Sequence, residues 1–384
     1  MKKILDQNQV WIDEVWEKIE AKLSVTSVLS GKKIPYTTVD GVHDDCITSA
    51  THHNIDWWTN GFWPGMMWLM YDATKEERYR EAAEYAENAL DAAITKAGRV
   101  DHDLGFMWHL SAGADYRLTG NEQSKNRNLL ASLLLAARFN HDGGYIRAWN
   151  NRGQEGYAII DCMMNIPLLY WASDETGDPR FRQIAMHHAD KTMENHVRGD
   201  GSVYHIIQYD LDNGEFIKAP TTQGFNADSS SWSRGQGWAL YGFVLSYLHT
   251  GKKEYLDTAK RVAHYFLSNL KPGELPLLDF RAPKEPVYYD ASAAAITACG
   301  LIEIAQVVDE TEADMYYDAA IDLLRVLDKN CNYNEDELVL LENNSCIYHE
   351  KASIHRPYIF GDYYLLEALM KLYGNDGRFI VHNE

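Results

Sequence analysis

An acid set among apolar side chains is the first candidate for chemistry in this sequence. Asp161 stands within Ile159-Ile160-Asp161-Cys162-Met163-Met164-Asn165-Ile166, where poor solvation disfavours the charged form of a carboxyl. A group of that kind can hold a proton near neutral pH and deliver it to a substrate. Asp is equally a favoured helix N-cap, and an apolar run follows it, so these residues alone support both readings. Pro167, best tolerated in a first turn, places the regular helix start near Asn165 or Ile166 and Asp161 in the turn before it.

Other chemistry-bearing groups stand in comparable places. Asp56-Trp57-Trp58-Thr59-Asn60, Asp101-His102-Asp103, Ser231-Trp232-Ser233-Arg234, Tyr289-Asp290 and Phe360-Gly361-Asp362 each precede a segment rich in small and aromatic residues. Flat aromatic faces beside polar groups suit a sugar ring, which has apolar C–H faces and a hydroxyl rim. Asp103 and Asp290 could instead be N-caps, and Trp58, Trp63 and Trp68 core packing. His187-His188 reads as a solvated helix face. The His52/His53 pair lacks a Glu-x-x-His partner spacing, so neither a metal site nor any cofactor is read.

Such residues converge only if helices bring them together. Segments 61–71, 104–116, 162–172, 234–249, 291–307 and 362–372 carry small and aromatic residues at helical spacing, and more polar amphipathic segments at 76–93, 123–138, 179–196, 253–270 and 313–327 alternate with them. An amphipathic helix over 4–23 makes a twelfth. Six inner and six outer helices predict an all-α (α/α)6 barrel in which residues 1–384 form one catalytic domain. Its inner helices run parallel, so the residues before them gather at one end. There the helix N-termini add partial positive charge suited to an anionic sugar. Residues 202–216 alternate around Asp212-Asn213-Gly214 and read as a small β-hairpin decorating a loop.

Composition narrows the partners. A formal charge of −20 over 384 residues opposes approach to nucleic acid or an anionic membrane. The start of the chain has no apolar signal region and no stretch approaches a membrane span, which predicts a cytoplasmic protein. Five scattered cysteines without a C-x-x-C pair fit neither a disulfide framework nor a zinc site.

Taken together, the motifs 56–65, 101–106, 159–169, 231–238, 290–304 and 361–369 resemble the unsaturated glucuronyl hydrolases of glycoside hydrolase family 88, over about residues 50–370. The resemblance implies the same (α/α)6 barrel, no cofactor, and an unsaturated uronic-acid oligosaccharide as partner. The implied reaction removes 4,5-unsaturated glucuronic acid from the non-reducing end of lyase-generated oligosaccharides, such as glycosaminoglycan disaccharides, by hydrating the vinyl ether double bond. By motif, Asp161 matches the general acid/base, expected to be protonated at rest. Asp103 matches a second essential carboxylate, expected to stay ionised. Trp58, His102, Trp149, His205, Gln223, Arg234 and Trp238 match positions that line or bind the unsaturated sugar.

One departure touches specificity. Members that prefer sulfated disaccharides carry Ser-x-x-Ser-x-Lys before the last inner helix, whereas this chain reads Ser345-Cys346-Ile347-Tyr348-His349-Glu350-Lys351, so sulfate specificity is not inferred. Three alternatives remain open on sequence: an unsaturated rhamnogalacturonyl hydrolase on the same barrel, a sugar epimerase, and a non-catalytic glycan-binding protein.

Overall fold

The computed structural model of the protein describes residues 2–48, 53–96, 98–227 and 229–373. Their α-helices are α1 (Lys2–Ser30), α2 (Phe62–Thr74), α3 (Glu77–Ile94), α4 (Ala112–Thr119), α5 (Glu122–Ala136), α6 (Pro167–Thr176), α7 (Pro179–Asn195), α8 (Ser233–Thr250), α9 (Lys253–Ser268), α10 (Ala291–Val307), α11 (Glu310–Asp328) and α12 (Ile359–Tyr373).

Patterning explains which helices lie inside. Almost every residue of α8, α10 and α12 is buried, as expected of helices that are apolar or small all round. In α9 and α11 the buried residues fall on one stripe. Around the inner ring α2 contacts α4, α6 contacts the turn at Gly105–His109 that precedes α4, α8 contacts α6 and α10, and α12 contacts α10 and returns to α2, while each odd-numbered helix from α3 to α11 packs on the inner helix before it. α1 packs on α12 and touches α11 and α3, completing the outer ring as the periodicity at 4–23 predicts. The architecture is the expected (α/α)6 barrel. No helix among the described residues is long and apolar enough to cross a membrane.

Two inner elements are broken where chemistry was anticipated. The helix predicted over 104–116 is a π-type turn at Gly105–His109 followed by α4, with the kink at Ser111. The turn is pinned from another element, because the Phe106 N–H donates to the Asn165 side-chain oxygen at 2.7 Å. Gly105 permits this closeness: a Cβ there would lie 2.5 Å from Asn165 Cα. Gly105→Ala must displace backbone rather than a side chain, so a loss of about 1–3 kcal/mol, read as a lowered Tm, is the expected result; an unchanged Tm would count against this packing. Ahead of α6, Ile160–Met164 form a 3-10 turn, and Pro167 takes the first helical position.

Strands are short. β1 (Thr38–Val39) pairs with β2 (Val42–His43), and β3 (Phe139–Asn140) with β4 (Tyr145–Ile146). The expected hairpin at 202–216 is displaced to β6 (Ile206–Tyr209) and β7 (Phe216–Lys218), and it is not merely decoration. β6 also pairs antiparallel with β5 (Tyr157–Ile159), in register Ile159↔Ile206. The Ile160 N–H donates to the His205 carbonyl at 3.0 Å, so the sheet sets Asp161 and His205 side by side.

Candidate active site

Asp161 occupies the 3-10 turn between β5 and α6, its side chain 16% exposed. It caps no helix, and its buried Oδ1 has no hydrogen-bond partner. Burial pushes the carboxyl up to about 7, against the opposing pull of the Arg234 guanidinium. His205 Nε2 lies 3.8 Å from Asp161 Oδ1. Burial, with His196, Arg234 and His102 nearby, holds His205 down to about 3, so it is neutral across the physiological range. A neutral imidazole beside a carboxyl of this kind leaves the proton on the acid.

Asn165 links the two acids. Its side-chain amide donates to Asp103 at 3.3 Å and to the Asp161 carbonyl at 3.2 Å, while its oxygen holds the π-type turn. The sequence reading assigned no role to this fully buried residue; its place four residues after Asp161 was the available signal. Asp103 is nearly buried, with Oδ1 3.3 Å from His102 Nε2.

The ionised form expected for Asp103 is opposed by its surroundings. Burial, then the charges of Asp101 and Asp161, push its carboxyl well above the usual range. His102 Nδ1 lies 3.1 Å from the Ala148 carbonyl, which can only accept, so Nδ1 carries the hydrogen. In neutral His102 the Nε2 lone pair therefore faces Asp103, and burial lowers the imidazole's proton affinity. The Asp103 oxygen and this nitrogen lie 3.3 Å apart, and the surroundings of both groups favour their neutral forms. Asp101, His102 and Asp103 offer ligand atoms within 4.8 Å of one another. Arg138, whose charge also acts on Asp103, donates to the same Ala148 carbonyl at 2.7 Å.

Aromatic contacts close the circle. Trp149 meets His102 edge-on at 6.1 Å. Beyond Asp161, His205 packs on Trp232 at 4.6 Å. Arg234 lies between Trp232 and Phe360, 4.8 and 4.7 Å from their centroids. Phe360 stacks on Trp58 at 5.2 Å, and Trp58 reaches Phe106 beside Asn165 at 5.6 Å. Seven predicted residues thus join one ring of contacts: Asp161, Asp103, His102, Trp149, His205, Arg234 and Trp58.

Others stand apart from it. Trp238 is fully buried behind Phe106 and Tyr364, where it supports the ring and offers no surface. Gln223 is half-buried in the loop before α8, its carbonyl accepting from the Tyr348 N–H at 2.9 Å. Asp362 accepts from the Leu340 and Leu341 N–H groups, and Asp56 pairs with Arg99. His188 is buried and accepts from the Ile146 N–H at 3.1 Å, contrary to the solvated face expected, whereas His187 is exposed. His53 stacks on Trp57; His52 lies outside the described residues.

Comparison with known proteins agrees with this geometry. The sequence profile described as Glycosyl Hydrolase Family 88 matches residues 32–272. An unsaturated glucuronyl hydrolase of Bacillus sp. (strain GL1) is 40% identical over 340 residues, covering 86% of this chain and 90% of the relative. An unsaturated chondroitin disaccharide hydrolase of Streptococcus agalactiae is 34% identical over 376 residues, covering 93% and 92%. The crystal structure of the Bacillus sp. GL1 enzyme, responsible for the degradation of glycosaminoglycan, superposes with a TM-score of 0.87 at 35% identity, covering 97% of this chain and all of that one. With the profile spanning most of the barrel and these relatives aligned along nearly their whole length, the chain belongs to glycosyl hydrolase family 88.

Proposed function

We propose that the protein releases 4,5-unsaturated glucuronic acid from the non-reducing end of lyase-generated oligosaccharides by hydrating the C4=C5 double bond. The observation that carries this reading is Asp161, an acid held near 7 with an unpartnered oxygen beside a neutral histidine. The names of the relatives support it. A solved Streptococcus agalactiae relative complexed with dGlcA-GalNAc6S, 29% identical with a TM-score of 0.81 over 95% of this chain and 92% of that one, binds a sugar of this class.

Asp161 donates its proton to C4, and the ring oxygen shares the positive charge that develops at C5. Water adds to C5 and gives a proton to the Asp161 carboxylate, restoring the acid. The hemiketal at C5 opens to a ketone, and the hemiacetal left at C1 expels the remaining sugar. Asp103 faces the developing charge. As its proton passes toward His102 Nε2 it presents an anion only when one is needed, so two neighbouring acids take different roles. Arg234, Trp58 and Trp149 orient the sugar.

The loop that departs from the sulfate pattern places Tyr348 against Phe225 at 5.1 Å and Tyr288 at 5.2 Å, with Glu350 and Lys351 exposed. Unsulfated disaccharides are therefore expected to be used at least as well as sulfated ones. The contiguous core shared by inner and outer helices supports one domain, and Cys162, Cys299, Cys331 and Cys346, which form no disulfide, fit a reducing cytoplasm.

The test is a panel of unsaturated chondroitin, hyaluronan and heparin disaccharides, with and without sulfate. Loss of the alkene's ultraviolet absorbance with release of the free amino sugar is expected, and activity should fall as pH rises through about 7, where Asp161 loses its proton. Absorbance that persists with every member would overturn the reading.

A further inference from the structure

Asp290 precedes α10 in the N-cap position, yet its side chain makes no cap. It is wholly buried, and its Oδ2 lies 3.3 Å from Arg234 Nη1. Its Oδ1 accepts from Ser292 Oγ at 2.6 Å and from the Ser345 N–H at 3.4 Å. The same Nη1 donates to Ser292 Oγ at 3.1 Å and to the Ser345 carbonyl at 3.2 Å. One carboxylate therefore fixes the arginine, the start of α10 and the loop before α12 together.

We propose that Asp290 is a positioning residue that holds the Arg234 guanidinium between Trp232 and Phe360 and balances its charge, so that Arg234 can face the substrate without stripping the proton from Asp161. This rests on Asp161 being the acid. The charges around the pair single out Asp290 for the task. Arg234 is 3% exposed, and solvent cannot screen a cation so deeply placed. From the loop before α12, Cys346 and Tyr358 face the arginine, and Tyr36 faces it from the segment after α1; burial raises all three, so they remain neutral. On the Asp161 side burial lowers His205 and His102 and raises Asp103 and the Cys162 thiol, which favours the neutral form of each. His355, which senses Asp290, is lowered by burial. Burial raises Asp290 as well, but the Arg234 guanidinium at 3.3 Å and the Ser292 and Ser345 donors oppose that rise, so Asp290 is the acid in direct contact with the arginine and the one placed to compensate it.

The test is the pH profile of kcat/KM. In Asp290→Asn an uncompensated Arg234 favours the Asp161 anion, and the basic limb should move toward acid by about one pH unit, the scale of a unit charge acting across about 12 Å at an effective dielectric constant of about 20. Activity lost at pH 7 should return near pH 6. If the single variant fails to fold because a lone charge is left buried, Asp290→Asn/Arg234→Gln decides, since both charges are gone and its limb should lie near that of the wild type. A structural role alone would lower Tm and kcat at every pH with the limb in place; that result, or a double variant whose limb moves toward acid by a full unit, overturns the proposal. Turnover by Asp161→Asn would instead overturn the acid assignment, so the two failures are distinguishable.

Discussion

Asp161→Asn is expected to bind an unsaturated disaccharide with near wild-type affinity while its turnover falls by about 10³- to 10⁴-fold, the upper range for a general acid. The amide keeps the volume and one acceptor but can neither protonate C4 nor take a proton from water. The same substitution should stabilise the fold, by an amount that depends on pH. Asp161 has its ordinary value of 3.8 raised to about 7 by burial, so the folded protein retains a proton that the unfolded chain releases. The wild type therefore loses stability as pH climbs from about 4 through 7, whereas the variant does not. At about 1.4 kcal/mol per unit, a gap of up to about 4 kcal/mol opens, reduced by the partial exposure of the side chain. Melting at pH 4 and pH 8 reads it: Tm should differ little at the lower pH and clearly favour the variant at the higher. Equal gaps at both, or surviving turnover, would contradict the assignment.

Asp103→Asn should lower kcat by about 10²- to 10³-fold with KM nearly unchanged, a loss of about 3–4 kcal/mol in the transition state. At rest the change is small, because a carboxamide keeps the volume of the carboxyl and an oxygen to accept from the Asn165 amide. The difference comes when positive charge builds on the sugar, since Asp103 can pass its proton to His102 and become an anion and an amide cannot. Rate constants from single-turnover experiments test this, and a variant with more than a tenth of the wild-type kcat would exclude an anionic Asp103 from the reaction.

The barrel was legible because its evidence is local. Apolar residues all round one set of helices and stripes on the other fix inside and outside before any contact is known. Asp161 was legible for the same reason, since its apolar neighbours lie beside it in the chain. What escaped the sequence depends on partners far away in it. The break after Gly105 follows from a hydrogen bond to Asn165, and no periodicity in 104–116 announces it. His188 is buried because the Ile146 N–H comes from β4 to meet it, and Trp238 turns to the core because Phe106 and Tyr364 enclose it. The upward shift of Asp103 comes from its burial and from the charges of Asp101 and Asp161, the second of which lies far along the chain.

The pairing of β5 with β6 also determines where this chain tolerates change in length. Side chains alternate across a strand, so a slip of one residue between Ile159 and Ile206 would turn every residue of β6 to the opposite face and carry His205 away from Asp161. The turn between β6 and β7 is less constrained: β7 is exposed along its whole length and the Asp210–Glu215 turn is closed largely by its own hydrogen bonds, although Gly214 packs on Gly143 and the Leu211 carbonyl accepts from the Asn140 side chain. Added residues at Asp212 should disturb the reaction far less than a single residue added between His205 and Ile206, which would be felt at the acid itself. The segment acts as a ruler laid across the mouth of the barrel, with its zero mark at Asp161.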